Sequence, residues 1–313
     1  MNLKLYRLKF RSSFHSGDRE GFLESTVPML HSDTIFSAFC HSYWLLYGDT
    51  QLSELLDSFI ENRPVFLLSS AFPWIKEKVY FPVPLNQFTG DKKLKKISFV
   101  EKKAFEQLLA GKTLQDISIY DRISEGKPWV IQSTPRIALN RLTNSPGENY
   151  FHFGEVFFNS EDSGLFFIVR FPDESFIKNF QSTLNLMADE GIGGDRTVGK
   201  GFFNVQCSDI ELVTPKNTNS IITVSLVHPK DNEIPNIKDG YYEIIERKGY
   251  IFSYAGRNLR RKSVRMISEA SVFSSNLTGD MVDLTPEIFK QHRVYRYGFC
   301  LSLPCKLREE NED

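Results

Sequence analysis

Five of the chain's 19 glycines, Gly191, Gly193, Gly194, Gly199 and Gly201, fall within Asp189 to Val205, around Arg196 and Lys200. Glycine permits positive φ and close backbone approach, so backbone N–H groups can gather around a partner, and two interleaved cations favour an anionic one. The expected ligand is a phosphate, from a nucleotide or a nucleic acid. Gly194 to Lys200 has the spacing of a P-loop, but Gly201 stands where that motif needs a hydroxyl for magnesium. The order of elements is also reversed. Asp173 to Asp189 carries apolar residues at Phe176, Ile177, Phe180, Leu184 and Met187, a helical period, and Phe202 to Leu212 reads as a strand. Both the P-loop and the dinucleotide fingerprint follow a strand and open a helix, so neither fits a loop that runs from helix to strand.

A second basic stretch, Arg257 to Arg265 (RNLRRKSVR), holds five cations in nine residues. Beside Ser253 to Asn258 it reads either as a second phosphate clamp, through Arg257, Arg260, Arg261 and Lys262, or as a solvated face. The lysines at 92, 93, 95 and 96 read as an exposed loop. His15, in the polar loop Ser12 to Gly21, is the histidine best placed to act as a general acid or base on RNA, yet no second acid–base group accompanies it. A hydrogen-bonding role is the simpler reading. Asp33, at the start of a helical stripe, reads as a cap, as does Ser32. Phe202, at the exit of the glycine loop, is either a platform for a stacked base or a core residue.

The elements that position these groups follow from periodicity. Leu3, Leu5, Leu8 and Phe10 suggest an opening strand with a phase shift that would suit a bulge. A helix over Thr34 to Tyr47 follows, with further helical residues from Leu52 to Asn62, short extended pieces at Val65 to Leu68 and Val79 to Leu85, and a helix over Phe99 to Leu109. Arg136 to Leu142 and Tyr150 to Phe158 flank a polar tip, Asn144 to Asn149, and read as a β-hairpin with a long loop. Leu165 to Phe171 is a further strand. Val213 to Ser220 reads as a linker. Beyond it the sequence predicts strands at Ile221 to Val227, Tyr241 to Glu246, Tyr250 to Tyr254, Val264 to Phe273 and Val294 to Leu303, and a short helix over Pro286 to His292.

With 313 residues the chain predicts about two domains. The boundary falls near residue 213, giving an α+β domain over 1–213, with an antiparallel sheet and helices on one face, and a smaller β-rich domain over 214–313. The net charge of −1 provides no global basic field, so contacts with nucleic acid must be local. Glu309 to Asp313 reads as a solvated acidic tail. The four cysteines show no C-x-x-C pair, which points to a reduced protein without a structural zinc. The start of the chain lacks a signal-peptide core and no run approaches a membrane span, so a cytoplasmic protein with no membrane partner is expected.

Four segments, LHSDTIFSAF (Leu30 to Phe39), NRLTNSPGENYFHFGEVFF (Asn140 to Phe158), GIGGDRTVGKGFF (Gly191 to Phe203) and RRKSVRMISEASVF (Arg260 to Phe273), together resemble the RAMP superfamily of CRISPR-associated RNA-binding proteins. Within it the chain is most similar to the subunit-four family of type III-A Csm interference complexes. The resemblance implies two ferredoxin-like (RRM-like) domains, a hairpin acting as a thumb, no cofactor, no metal and no catalytic residues. It implies that the glycine loop, through Gly191, Gly193, Gly194, Arg196, Gly199, Lys200 and Gly201, grips the crRNA 5′ handle. Arg136 and Arg141 would serve the thumb, near guide and target RNA. The implied protein partners are the large polymerase-like subunit and backbone subunit three. Val198 stands where family loops often carry Ser or a cation, which leaves open which side chains touch phosphate. The rival reading is a metal-independent CRISPR RNA-processing endoribonuclease that uses His15.

Overall fold

The computed structural model describes residues 3–17, 22–87, 97–117, 122–123, 127–140, 142–159, 162–253 and 259–307. Arg141, Arg257, the lysine cluster at 92–96 and the acidic tail at 309–313 lie outside the described residues.

The core is an antiparallel sheet in which β1 (Leu3–Phe10) lies between β9 (Ser163–Arg170) and β10 (Phe203–Ile210). Beyond β9 the sheet continues through β3 (Phe72–Ile75), β4 (Lys78–Pro82), β5 (Phe99–Glu101) and β6 (Arg122–Ile123), while β2 (Leu67–Leu68) pairs with β9 as well. Leu165 to Val169 is fully buried because both faces of β9 are covered. Phe167 lies against Tyr6 of β1, which in turn meets Phe180 of α3 (Ile177–Glu190). Phe166 points to the opposite face, towards Phe81, which stacks on Phe105 of α2 (Lys102–Leu109). Two-sided burial also explains the irregular apolar pattern of β1. Its register with β10 is unbroken from Leu3 to Phe10, so no bulge is present.

α1 (Ser32–Ile60) joins the two predicted helical stretches across a kink at Gly48, whose φ of +85° favours glycine. Neither Ser32 nor Asp33 caps it. His31 occupies the cap position, the Ser32 hydroxyl accepts the Leu226 N–H, and Asp33 turns to two arginines. Three other expectations are corrected. Phe99–Glu101 is a strand ahead of α2, residues 286–292 form a turn and not a helix, and residues 250–253 are not a regular strand. The hairpin is longer than expected, from β7 (Trp129–Leu139) to β8 (Pro146–Phe158), with its connection at residues 140–145.

After residue 213 the chain forms a three-stranded sheet, with β11 (Ile221–Thr223) between β14 (Val272–Phe273) and β17 (Ser302–Pro304). Two ribbons accompany it, β12 (Ile244–Arg247) with β13 (Val264–Ile267) and β15 (Gly279–Asp283) with β16 (Tyr295–Phe299). No α-helix occurs among the described residues of this half. Val224, Val272, Tyr297 and Leu301 join the apolar cluster built on α1 and the large sheet, so both halves share one continuous core. The Tyr297 ring lies 4.8 Å from that of Phe36, and its hydroxyl accepts the Leu68 N–H.

Candidate nucleic-acid interface

The glycine loop is folded tightly against the segment that leaves β1. Gly191 caps α3 at φ +78°, and Ile192 N–H bonds to the Gly201 carbonyl, pinching the loop at its base. Gly201 N–H donates to the Ser13 carbonyl and Gly194 N–H to that of His15. A Cβ at Gly201 would fall 2.0 Å from the Ile192 oxygen, and one at Gly193 would fall 2.3 Å from the His15 oxygen. These glycines therefore serve backbone packing inside the protein. The N–H groups of Ile192, Gly194, Val198, Gly199 and Gly201 are spent on backbone carbonyls, and Phe202 N–H bonds to the Ser12 hydroxyl.

The cations divide in two. Lys200 sits 2.6 Å from Glu155 of β8, a carboxylate 2% exposed. Ser13 and Thr134 of β7 also donate to it, at 2.7 and 2.6 Å. Burial alone would push this carboxyl up, but the hydrogen bonds from Lys200, Thr134 and Ser13 prevail and hold it down at about 2. Arg136 pairs with Asp195 of the loop and lies over the Phe153 ring, 4.3 Å from its centroid. Two cations thus meet two carboxylates, and this cluster carries no net charge. It joins three pieces of chain remote in sequence, namely the β1 exit, the hairpin base and the glycine loop. The Phe14–Val156 bridge tightens the same junction.

Arg196 points elsewhere, over Phe252, with its guanidinium 4.6 Å from a ring that is 62% exposed. His41 of α1 meets the same ring edge-on, and burial together with Arg196 lowers the His41 pKa. Phe252 lies in the connection of the β12–β13 ribbon, so the glycine loop and the second basic stretch adjoin. In that stretch Arg260 lies over Tyr250, Lys262 is exposed, and Arg261 is half-buried against the Lys248 carbonyl. Phe202 is half-buried under Arg11, whereas Phe203 is fully buried beside Phe10.

His15 Nδ1 lies 2.8 Å from the Gly154 carbonyl, which can only accept, so Nδ1 donates to it. Its ring lies 4.5 Å from that of Phe153, tilted by 36°. Among the described residues no carboxylate bonds to this ring.

Several members of the site escape a reading of the sequence. Glu155, Asp195, Phe153 and Phe252 carry no local motif. Nor does Arg247, which clasps Asp33 at 2.9 and 3.1 Å. A cavity of about 330 Å³ bordered by His31, Phe99 and Arg247 also holds Glu243, Glu246 and Glu269, and three carboxylates make it a poor seat for an anion. Among the described residues no group of three side chains is arranged to hold a metal, and no helix is long and apolar enough to cross a membrane.

Known proteins share this architecture. The "CRISPR system Cms protein Csm4" of Methanocaldococcus jannaschii is 25% identical, covering 99% of this chain and 99% of its own length. That of Thermococcus onnurineus is 27% identical over 89% of this chain and 92% of its own. A chain of the Csm3–Csm4 subcomplex of the type III-A interference complex superposes with a TM-score of 0.69, at 21% identity, over 98% of this chain and 100% of that one. A chain of the Csm1–Csm4 cassette in complex with cA4 does so with a TM-score of 0.65, at 20% identity, over 99% and 100%. The Csm4 C-terminal domain family matches residues 216–305 and the RAMP superfamily residues 7–204, nearly two-thirds of the sequence, and the chain belongs to the RAMP superfamily.

Proposed function

We propose that this chain is a non-catalytic RNA-binding subunit of a type III-A CRISPR interference complex. It holds the crRNA 5′ handle and joins the large polymerase-like subunit to backbone subunit three. The observation that carries this reading is the junction at Glu155. There the hairpin, the His15 loop and the glycine loop are locked into one body, while Arg196, Phe252 and the basic stretch remain at its edge. Single-stranded RNA is bound by cations and by aromatic faces on which bases stack. The relatives named Csm4, and structures titled as Csm1–Csm4 and Csm3–Csm4 assemblies, support the two protein partners.

Several finer points belong to the same proposal. The path β1, α1, β3, β9, α3, β10 with spatial order β10-β1-β9-β3 has the 4-1-3-2 strand order of a ferredoxin-like fold, which supports that fold for residues 1–213. The family matches ending at residue 204 and resuming at 216 support a second domain over 214–313. The hairpin, with Ile131, Ile137, Leu139, Leu142 and Tyr150 exposed, serves as a thumb against guide, target RNA or a neighbouring subunit. The proposed RNA-binding set includes Arg141 and Arg257 on the strength of the sequence, and His15 positions the loop. In this reading Lys200 acts mainly as a clamp on the hairpin, and Arg196 carries more of the contact with phosphate.

Co-purification tests the bridging role. The chain should draw the polymerase-like subunit and backbone subunit three into one complex that neither forms without it. Full assembly in its absence would refute the bridge.

A further inference from the structure

Between Glu246 and Glu269 the chain carries Arg247, Lys248, Arg257, Arg260, Arg261, Lys262 and Arg265 and no carboxylate. The fold turns three arginines of this half inward. Arg247, from β12, bonds to both oxygens of Asp33 and to the Thr34 hydroxyl. Arg296, from β16, pairs with the same carboxylate and is 3% exposed. Arg261 donates to the Lys248 carbonyl at 3.0 Å, and Arg296 reaches that same oxygen at 3.3 Å. Gly249 makes room for this arrangement. A Cβ there would fall 2.9 Å from the Arg261 guanidinium.

One carboxylate is thus bonded by two guanidiniums, a third lies beside them on the Lys248 carbonyl, and these four groups carry two positive charges in excess. Of the neighbouring acids, Glu269 bonds to His31 and Ser70 and attracts Arg247 from there without bonding to it, and Glu246 pairs with Lys248. Among the described residues, the Nε–H groups of both Arg261 and Arg296 are buried without an acceptor. Burial and the neighbouring Arg296 and Arg247 lower the Arg261 pKa to about 10, so the group stays charged at neutral pH while repelled by its neighbours. A buried cation excess with unused donors costs stability unless an anion completes it.

We propose that Arg247, Arg261 and Arg296 form a phosphate seat, built on Asp33 and distinct from the glycine loop, that holds a backbone phosphate of single-stranded RNA. Guanidinium forks match phosphate oxygens in geometry and charge. Tyr250 and Phe252, 50% and 62% exposed on the connection of the same ribbon and lying under Arg260 and Arg196, add aromatic surface and cations beside the seat, which favours RNA over an acidic peptide. The inference rests on the RNA-binding reading above and adds a second anchor to it. Asp33, at the start of α1, orients the seat, because both of its oxygens are held by arginines.

The test uses the full chain with Arg261→Gln, and Arg265→Gln as an exposed cation on the same ribbon. Millimolar pyrophosphate should raise the melting temperature of wild type and Arg265→Gln. Arg261→Gln should melt no lower than wild type in phosphate-free buffer and lose most of that upshift. For a labelled single-stranded oligoribonucleotide, Arg261→Gln should weaken binding about tenfold, the worth of one charge-assisted hydrogen bond. It should also lower the salt slope by about 0.7. No pyrophosphate upshift in wild type, or equal losses in the two variants, would overturn the seat. RNA binding that Arg261→Gln leaves intact would sink this anchor alone and point to an acidic peptide. A pyrophosphate upshift without RNA binding by wild type would sink the RNA reading of the whole chain.

Discussion

Replacing Glu155 by Gln probes the junction that holds the proposed interface together. The carboxylate receives Lys200, Ser13 and Thr134 within 2.7 Å, and Arg136 lies 4.0 Å away. Gln keeps the shape and one acceptor but strands the ammonium opposite it. Lowering the carboxyl pKa from 4.5 to about 2 corresponds to about 3 kcal/mol. The cost of breaking a buried pair is about 3–5 kcal/mol. Because the Lys200 and Arg136 side chains are each 26% exposed, water recovers part of this, and a loss of about 2–3 kcal/mol is expected. For a chain of this length that lowers the melting temperature by about 3–5 °C. The sign of the pH dependence follows from the lowered pKa. The stabilisation is fully present above pH 4.5 and is lost as pH falls towards 2, so wild type and variant should converge across that window. The assay is thermal unfolding from neutral to acid pH, paired with RNA titration at neutral pH. RNA affinity should fall with stability, because hairpin and glycine loop are no longer held in register. A loss under about 0.5 kcal/mol, the range of an ordinary surface substitution, or a gap that does not close in acid, would refute the reasoning.

Arg196→Ala should leave thermal stability near wild type while lowering the salt slope of RNA binding by about 0.7, and an unchanged slope would remove Arg196 from the phosphate contacts. Lys200→Ala should do the reverse, costing stability more than slope, since its charge is spent on Glu155; a full loss of slope with normal stability would count against the clamp. Gly201→Ala should destabilise by more than about 2 kcal/mol, because its Cβ would strike the Ile192 oxygen in a backbone at φ +77°. A melting curve matching wild type would show that the loop relaxes freely. Asp33→Asn should cost about 3–5 kcal/mol by stranding Arg247 and Arg296, a prediction that a melting temperature within a degree of wild type would defeat.

The legible parts of the site were those with local signals. Helix, glycine loop and strand follow in order because apolar spacing in α3 and β10 and the glycine density all act over a few residues. The network around Glu155 was not legible, since its partner Ser13 lies 142 residues away and Thr134 lies 21 away. Asp33 shows the same limit. An acid at a helix start reads as a cap, and nothing local reveals arginines 214 and 263 residues downstream. Strand β1 misled in another way, because burial on both faces breaks the period of two that one-sided sheets impose. The role of the glycines shifted as well. Their density points to an anion, yet close contact with the His15 and Ser13 backbone accounts for Gly193 and Gly201, which leaves anion contact to side chains at the edge.

The most direct test of the central claim is titration of the full chain with end-labelled RNA carrying either a native crRNA 5′ handle or a scrambled one, followed by a denaturing gel. The account predicts tighter binding of the native handle, with the RNA recovered intact. Equal affinity for both RNAs would contradict handle recognition, and discrete cleavage that disappears in His15→Ala would contradict the non-catalytic role.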